Sequence, residues 1–221
     1  TSVSANGITF SQTSTTSYTI GADNTTGVIT LDGTAPSITS AGSASLNSVG
    51  AVLAGSAGLT KSGNRTLQLR GVNTYSGDTK VLNGNLLIGL GNNRLPVATK
   101  LVLGDGVSNT SGVFQMNSRS QQVAGIETAG TGTGNRVINS SITASTFTVA
   151  NVTDQTFGGI LGGSTANDNN YNFTKSAAGR LVLTSSNTFT GTATISGGTL
   201  ELGHSTNTLA DTVAVNVNGG T

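Results

Sequence analysis

Apolar and polar positions along this chain alternate in short runs. Ile8-Thr9-Phe10, Tyr18-Thr19-Ile20 and Val28-Ile29-Thr30-Leu31 follow a period of two, as do Leu67-Gln68-Leu69 and Val213-Ala214-Val215-Asn216-Val217. That period puts alternate side chains on opposite faces of an extended strand and predicts many short strands. No window carries the i, i+3, i+4, i+7 stripe of an amphipathic helix. The small residues from Ala41 to Ala57 leave room for a helix, but Gly42, Gly50, Gly55 and Gly58 oppose it at about 1 kcal/mol each. Asn6-Gly7 and Asp32-Gly33 mark turns. Pro96 lacks an N–H, so Arg94-Leu95-Pro96 reads as a bend outside any central strand.

One stretch occurs twice. Leu59-Thr60-Lys61-Ser62 to Gly89 aligns without a gap on Phe173-Thr174-Lys175-Ser176 to Gly203, an offset of 114 residues. Thr60, Lys61, Ser62, Leu67, Leu69, Asn73, Thr74, Gly77, Gly84, Leu86 and Gly89 recur unchanged, and Tyr75 is answered by Phe189. Gly55-Ser56 matches Gly163-Ser164 at an offset of 108, so six residues enter just before the second copy, in the segment 165–172. Repetition of this kind indicates stacked supersecondary units, with insertions displayed as loops on one face. The expected fold is all-β: a right-handed parallel β-helix, or β-solenoid, of roughly nine to ten rungs and about 45 Å in length. An offset of 114 then separates the copies by about five rungs. Leu67, Leu69, Val81, Leu86 and Ile88 face inward, each contributing about 1.5–3 kcal/mol on burial. The bore is expected to be narrow and filled mainly by aliphatic side chains. Asn73 and Asn187 are expected to close turns through side-chain amide bonds to the backbone. The competing fold is an antiparallel sandwich or barrel, with Asn83-Gly84, Asp105-Gly106 and Asn218-Gly219 as hairpin turns. The chain reads as one domain, 1–221, with repeat units at 59–104 and 173–218, in a longer chain or polymer.

The run Leu-Thr-Lys-Ser-Gly-Asn-Arg-Thr-Leu-Gln-Leu-Arg-Gly-Val-Asn-Thr-Tyr-Ser-Gly, followed by Val-Leu-Asn-Gly-Asn-Leu, resembles the autotransporter-associated β-strand repeat. The resemblance is specific over 59–89 and looser over 173–203, where Ala177 and Ala178 replace glycine-type positions. It implies a unit of a right-handed parallel β-helix in the passenger region of a large bacterial surface protein. It also implies an extracellular or cell-surface location, and it brings no catalytic residues.

Composition narrows the chemistry. Charged residues make up 9% of the chain and the net charge is +1. Basic residues are scattered, which argues against a nucleic-acid partner. There is no cysteine, a composition that suits export. Apolar runs are too short for a membrane span. The chain starts at Thr1 without a leader pattern, so a removed leader or a longer polypeptide is expected.

The nine acidic residues, Asp23, Asp32, Asp78, Asp105, Glu127, Asp154, Asp168, Glu201 and Asp211, are dispersed and read as solvated turn positions. His204 is the only histidine, so a metal site built on several histidines is impossible, and no metal or cofactor is expected. Gly130-Thr131-Gly132-Thr133-Gly134 reads as a turn, because it opens no helix in a βαβ unit. The candidate contact residues lie in two segments: Asn167, Asp168, Asn169, Asn170 and Tyr171 in the insertion, and Asn73, Tyr75 and Asp78 in the turn of the first copy.

The leading functional expectation is a non-enzymatic structural solenoid of an extracellular rod or filament. Its partners would be itself, stacked end to end or continued by its own chain, or a surface ligand or glycan. The alternative is a passenger adhesin that displays binding loops. A polysaccharide-active enzyme is the third possibility, recognisable by three or more carboxylates meeting in one groove.

Overall fold

A computed structural model describes residues 2–23, 27–205 and 209–220. They form short strands wound as a parallel β-solenoid of about nine turns. Each turn visits three walls, I, II and III, in the same order. The first turn is β1 (Ser2–Ala5), β2 (Gly7–Phe10) and β3 (Thr19–Ile20). Next come β4 (Val28–Leu31), β5 (Ser37–Ser40) and β6 (Leu46–Val49), then β7 (Val52–Ala54), β8 (Leu59–Ser62) and β9 (Thr66–Leu69). The fourth and fifth turns enter through the non-strand segments 72–76 and 93–96. They continue as β10 (Thr79–Val81) and β11 (Gly84–Ile88), then β12 (Lys100–Leu103) and β13 (Gly112–Gln115). Full turns resume with β14 (Gln121–Val123), β15 (Gly125–Thr128) and β16 (Arg136–Ile138), then β17 (Ser145–Val149), β18 (Gln155–Phe157) and β19 (Ile160–Leu161). A single helical turn, α1 (Ala166–Asn169), precedes β20 (Tyr171–Lys175) and β21 (Arg180–Leu183). The winding ends on β22 (Ala193–Ile195), β23 (Thr199–Leu202) and β24 (Val215–Val217).

Every pair of strands in these sheets is parallel, and hairpin pairing is absent among the described residues. The turns differ in length. Gly7 pairs with Ser37, 30 residues on, whereas Leu181 pairs with Leu200, 19 residues on.

Because the register is parallel, like side chains stack in columns. On wall III, Asn47, Leu67, Leu86, Phe114, Val137 and Leu161 follow one another layer by layer. Val49, Leu69 and Ile88 make the neighbouring column, and all three are buried. The inward positions read from the alternation are in the core: Leu67, Leu69, Val81, Leu86 and Ile88 are all buried. The bore is more aromatic than expected. All six phenylalanines are buried, together with Tyr75 and Tyr171. Phe189 packs against Tyr171 and Phe173, with ring centroids 5.6 and 5.9 Å apart.

The small-residue stretch from Ala41 to Ala57, whose glycines oppose a helix, carries β6 and β7. One expectation about local structure is corrected. The segment 165–172 is not a plain loop. Thr165 caps α1: its hydroxyl accepts the Asp168 N–H and Asp168 Oδ2 accepts the Thr165 N–H, a capping box. Tyr171 already belongs to β20.

The two copies of the repeat are not an integral number of turns apart. Leu59 begins β8 on wall II, whereas Phe173 lies in β20 on wall I. The offset of 114 is therefore four and two-thirds turns, about five as expected but one wall short of it. The second copy is displaced by one wall around the axis.

Walls I and II each lose their backbone ladder once, and on wall III the strands end at β19, beyond which the Thr188 and Phe189 N–H groups donate to the Leu161 carbonyl. On wall I, segments 72–76 and 93–96 stand where strands would be. Asn73 Oδ1 accepts the Leu53 N–H at 2.8 Å and its Nδ2 donates to the Arg94 carbonyl, also at 2.8 Å. Gln121 pairs with Leu95 in the same way, accepting its N–H at 3.0 Å and donating to its carbonyl at 3.1 Å. Amide side chains thus replace ladder bonds between layers. On wall II the break falls between β15 and β18, where Gln155 Oε1 accepts the Ile126 N–H at 2.8 Å. Gly125 allows this, since a Cβ there would lie 2.2 Å from the Gln155 amide.

Candidate functional site

The repeat is built around a buried lysine. Lys61 and Lys175 are both fully buried. Lys61 stands between Ile38 and Val81 in its column, and Lys175 between Val149 and Ile195. The aliphatic stem fills the column while the amine reaches the adjoining corner. Lys61 Nζ donates to the carbonyls of Gly63 and Asn83, both at 2.5 Å. Lys175 Nζ donates to those of Ser176, Ala177 and Gly197 at 2.7, 2.9 and 3.1 Å. In each case one acceptor lies in the next turn, so the lysine ties two layers together. Burial lowers the Lys61 pKa to about 8 and also lowers that of Lys175.

Asn73 and Asn187 are the second element of the repeat. Asn187 Oδ1 accepts the Leu161 N–H at 2.8 Å, as Asn73 does that of Leu53, and its Nδ2 donates to the Ser185 carbonyl at 2.9 Å. Both asparagines thus tie their turn to the preceding one, and Asn73 also reaches the following turn through Arg94. The following aromatic, Tyr75 or Phe189, is buried in both copies.

The expected contact residues are therefore divided. Asn73, Tyr75 and Tyr171 point into the protein, and the Tyr171 hydroxyl donates to the Val137 carbonyl at 3.0 Å. Asn167 is exposed on α1, while Asp168, Asn169 and Asn170 are half-buried. Asn170 Nδ2 is bonded to the Ile142 carbonyl at 2.8 Å. Asp78 is half-buried at the edge of wall II, 3.9 Å from Lys100.

The outer side of wall II concentrates the sparse charge. Lys100 bridges Asp78 and Glu127, at 3.0 Å from the latter, and the Glu127 hydrogen bond raises its pKa. Further along, Arg180 Nε donates to Glu201 at 2.7 Å, which raises the Arg180 pKa and lowers that of Glu201. Asp154 Oδ1 accepts the Arg180 backbone N–H at 3.1 Å.

Where the wall II ladder is interrupted, the surface opens into two adjoining grooves. The first, about 280 Å³, is lined by Glu127, Thr128, Asp154, Gln155, Thr156 and Arg180. The second, about 420 Å³, shares Thr128 and is walled by Gly130 to Thr133 on one side and Thr184 to Ser186 on the other, with Ile160 and His204. Gly158 forms part of its lining; its N–H donates to Thr128 Oγ1 at 3.3 Å and its carbonyl accepts from Ser185 Oγ at 2.8 Å. The carboxylates in these grooves are Glu127 and Asp154. Among the described residues no group of three His, Cys, Asp or Glu side chains comes together to hold a metal ion. Sequence alone gave no sign of the grooves, because they follow from a side chain standing in for a strand bond.

Residues 59–88 and 173–202 each match the family model described as the passenger-associated-transport-repeat. The matches coincide with the two lysine-centred units. No curated protein and no solved structure gives a significant match to the chain.

Proposed function

We propose that this parallel β-solenoid, which carries two passenger-associated-transport repeats, serves as a structural rod in the passenger region of a bacterial surface or secreted protein. The supporting observation is the stack itself. Parallel layers follow one another from β1 to β24, and side-chain amides carry the bonding across the places where strands are missing. Such a structure holds its two ends apart at a fixed distance, about 45 Å for nine layers. Among the described residues β1 and β24 each pair along one edge only, and Leu202, Val215 and Val217 are exposed at the β24 end. Further turns of the same polypeptide, or a second copy stacked head to tail, would cover them.

The spacer role is tested by placing the chain between a surface anchor and an epitope on bacterial cells. Antibody-labelled electron microscopy should find the epitope about 45 Å further from the membrane than in cells lacking the chain. Equal heights would overturn the role.

A second role, adhesion, is favoured by α1, which has no buried residue and is added to the second copy alone. Removing residues 165–170 restores the shorter spacing of the first copy and spares the buried Tyr171. Loss of cell adhesion with an intact circular dichroism spectrum would support display by α1, and unchanged adhesion would exclude it.

A further inference from the structure

We propose that the paired grooves at the break in wall II bind a neutral carbohydrate chain. The site is distinct from α1 and independent of the spacer role. The grooves adjoin through Thr128, and each has a volume in or near the range of small-molecule sites.

Their chemistry selects the ligand class by elimination. Glu127 and Asp154 disfavour an anion, and Arg180 disfavours a cation. Each of these charges already has a partner in the protein: Lys100 for Glu127, Glu201 for the Arg180 side chain, and the Arg180 N–H for Asp154. A ligand therefore need not supply a counter-charge. What remains is a surface of hydroxyls, Thr128, Thr156, Thr184 and Ser185, beside carboxylate acceptors and a guanidinium donor. Sugar hydroxyls both donate and accept, so they match acceptors and donors held side by side. Ile160 offers an apolar contact for the C–H face of a sugar ring. Thr128 and Thr184 flank Gly158 from the turns on either side, where a Cβ would lie 3.1 Å from the Thr128 hydroxyl and 3.5 Å from that of Thr184. Thr156 stands two positions before Gly158, so a chain crossing the three turns meets hydroxyls from each.

The probes are cellohexaose, maltohexaose and mannohexaose, with hexagalacturonate and chitosan hexamer as charged comparators, titrated calorimetrically into the 221-residue chain. Thr156→Arg and Thr184→Arg place long side chains in the grooves from exposed positions, and Thr174→Arg on wall I is the control. Binding of at least one neutral hexasaccharide, weakened tenfold or more by either groove variant and unchanged by the control, is the expected result. No binding of any neutral probe at millimolar concentration would overturn the proposal. Preference for a charged comparator, or groove variants that fold and bind like the unmodified chain, would also overturn it.

Discussion

Lys61 and Lys175 hold the same place in their two repeats yet stand on different walls of the solenoid. Lys61 reaches the corner that follows wall II, and Lys175 the corner that follows wall I. The local contacts are nevertheless alike: a stem between two aliphatic neighbours and an amine among carbonyls of its own turn and the next. The repeat thus carries its own corner with it, and the wall on which it lands does not alter the design.

Replacing either lysine by methionine keeps the stem and removes the donor. The corner carbonyls are then left without their partner, which costs about 1–3 kcal/mol for a buried group. Lys61→Met and Lys175→Met should each lower the unfolding free energy by about 2 kcal/mol in urea titrations. A loss below about 0.5 kcal/mol in both would show that the cages contribute nothing net.

The Lys61 pKa, lowered to about 8, makes stability depend on pH. Between about 8 and the ordinary lysine value near 10.5, the unfolded chain binds more protons than the folded one. Unfolding free energy should therefore rise with pH from 8 towards 10. The stabilisation is complete above the unfolded-state value and is lost as pH falls through 8. Lys175 shifts in the same direction. Above about pH 10 the buried Tyr75 and Tyr171, whose pKa values are raised, act oppositely, because the unfolded chain releases their protons first. Urea melts at pH 7.5, 9 and 10 should show the rise, and Lys61→Met should flatten it.

The first copy has Gly63 at φ +78°, and the second has Ala177 at φ +63° in the equivalent place. A left-handed conformation costs an L-residue roughly 1–2 kcal/mol, offset in part by the smaller freedom of alanine in the unfolded chain. Ala177→Gly should stabilise the protein by about 0.5–1 kcal/mol. Gly63→Ala should destabilise it by more than about 2 kcal/mol, since a Cβ there would lie 2.3 Å from the Ser40 carbonyl oxygen. Thermal melts of the two variants should move in opposite directions.

Tyr75 and Thr79 form a buried hydroxyl pair at 2.5 Å, and Thr79 is also bonded to Thr99 at 2.9 Å. The second copy has Phe189 and Ala193 at these positions, an apolar pair. Thr79→Ala alone leaves the Tyr75 hydroxyl buried without that partner, at a cost of about 1–3 kcal/mol. Adding Tyr75→Phe should recover about 1 kcal/mol, a coupling that a double-mutant cycle measures directly.

Much of the fold was legible because the strand period and the stacking act on the same residues. Leu67 and Leu69 declare an inward face by alternation, and their recurrence in the second copy indicates layers. Composition counts Lys61 and Lys175 among the scattered basic residues, although Leu59-x-Lys61 and Phe173-x-Lys175 put both on the core side of their strands. Tyr171 has the same parity as Phe173, which puts it on the core side of β20 and not on the insertion's surface. Thr165 and Asp168 hold the spacing of a capping box, which marks α1. The one-wall shift was hidden because turns vary from 30 to 19 residues, so residue offsets do not measure rotation. The break at Gln155 has no local signature, since its amide bonds across layers to Ile126, 29 residues away.

The displacement of the second repeat bears on how neighbours meet the rod. A motif that advances by one wall at each recurrence presents its outward side chains along a spiral stripe instead of a straight seam. Molecules crowding the rod from one direction would meet different parts of the two copies, because each equivalent position faces another side.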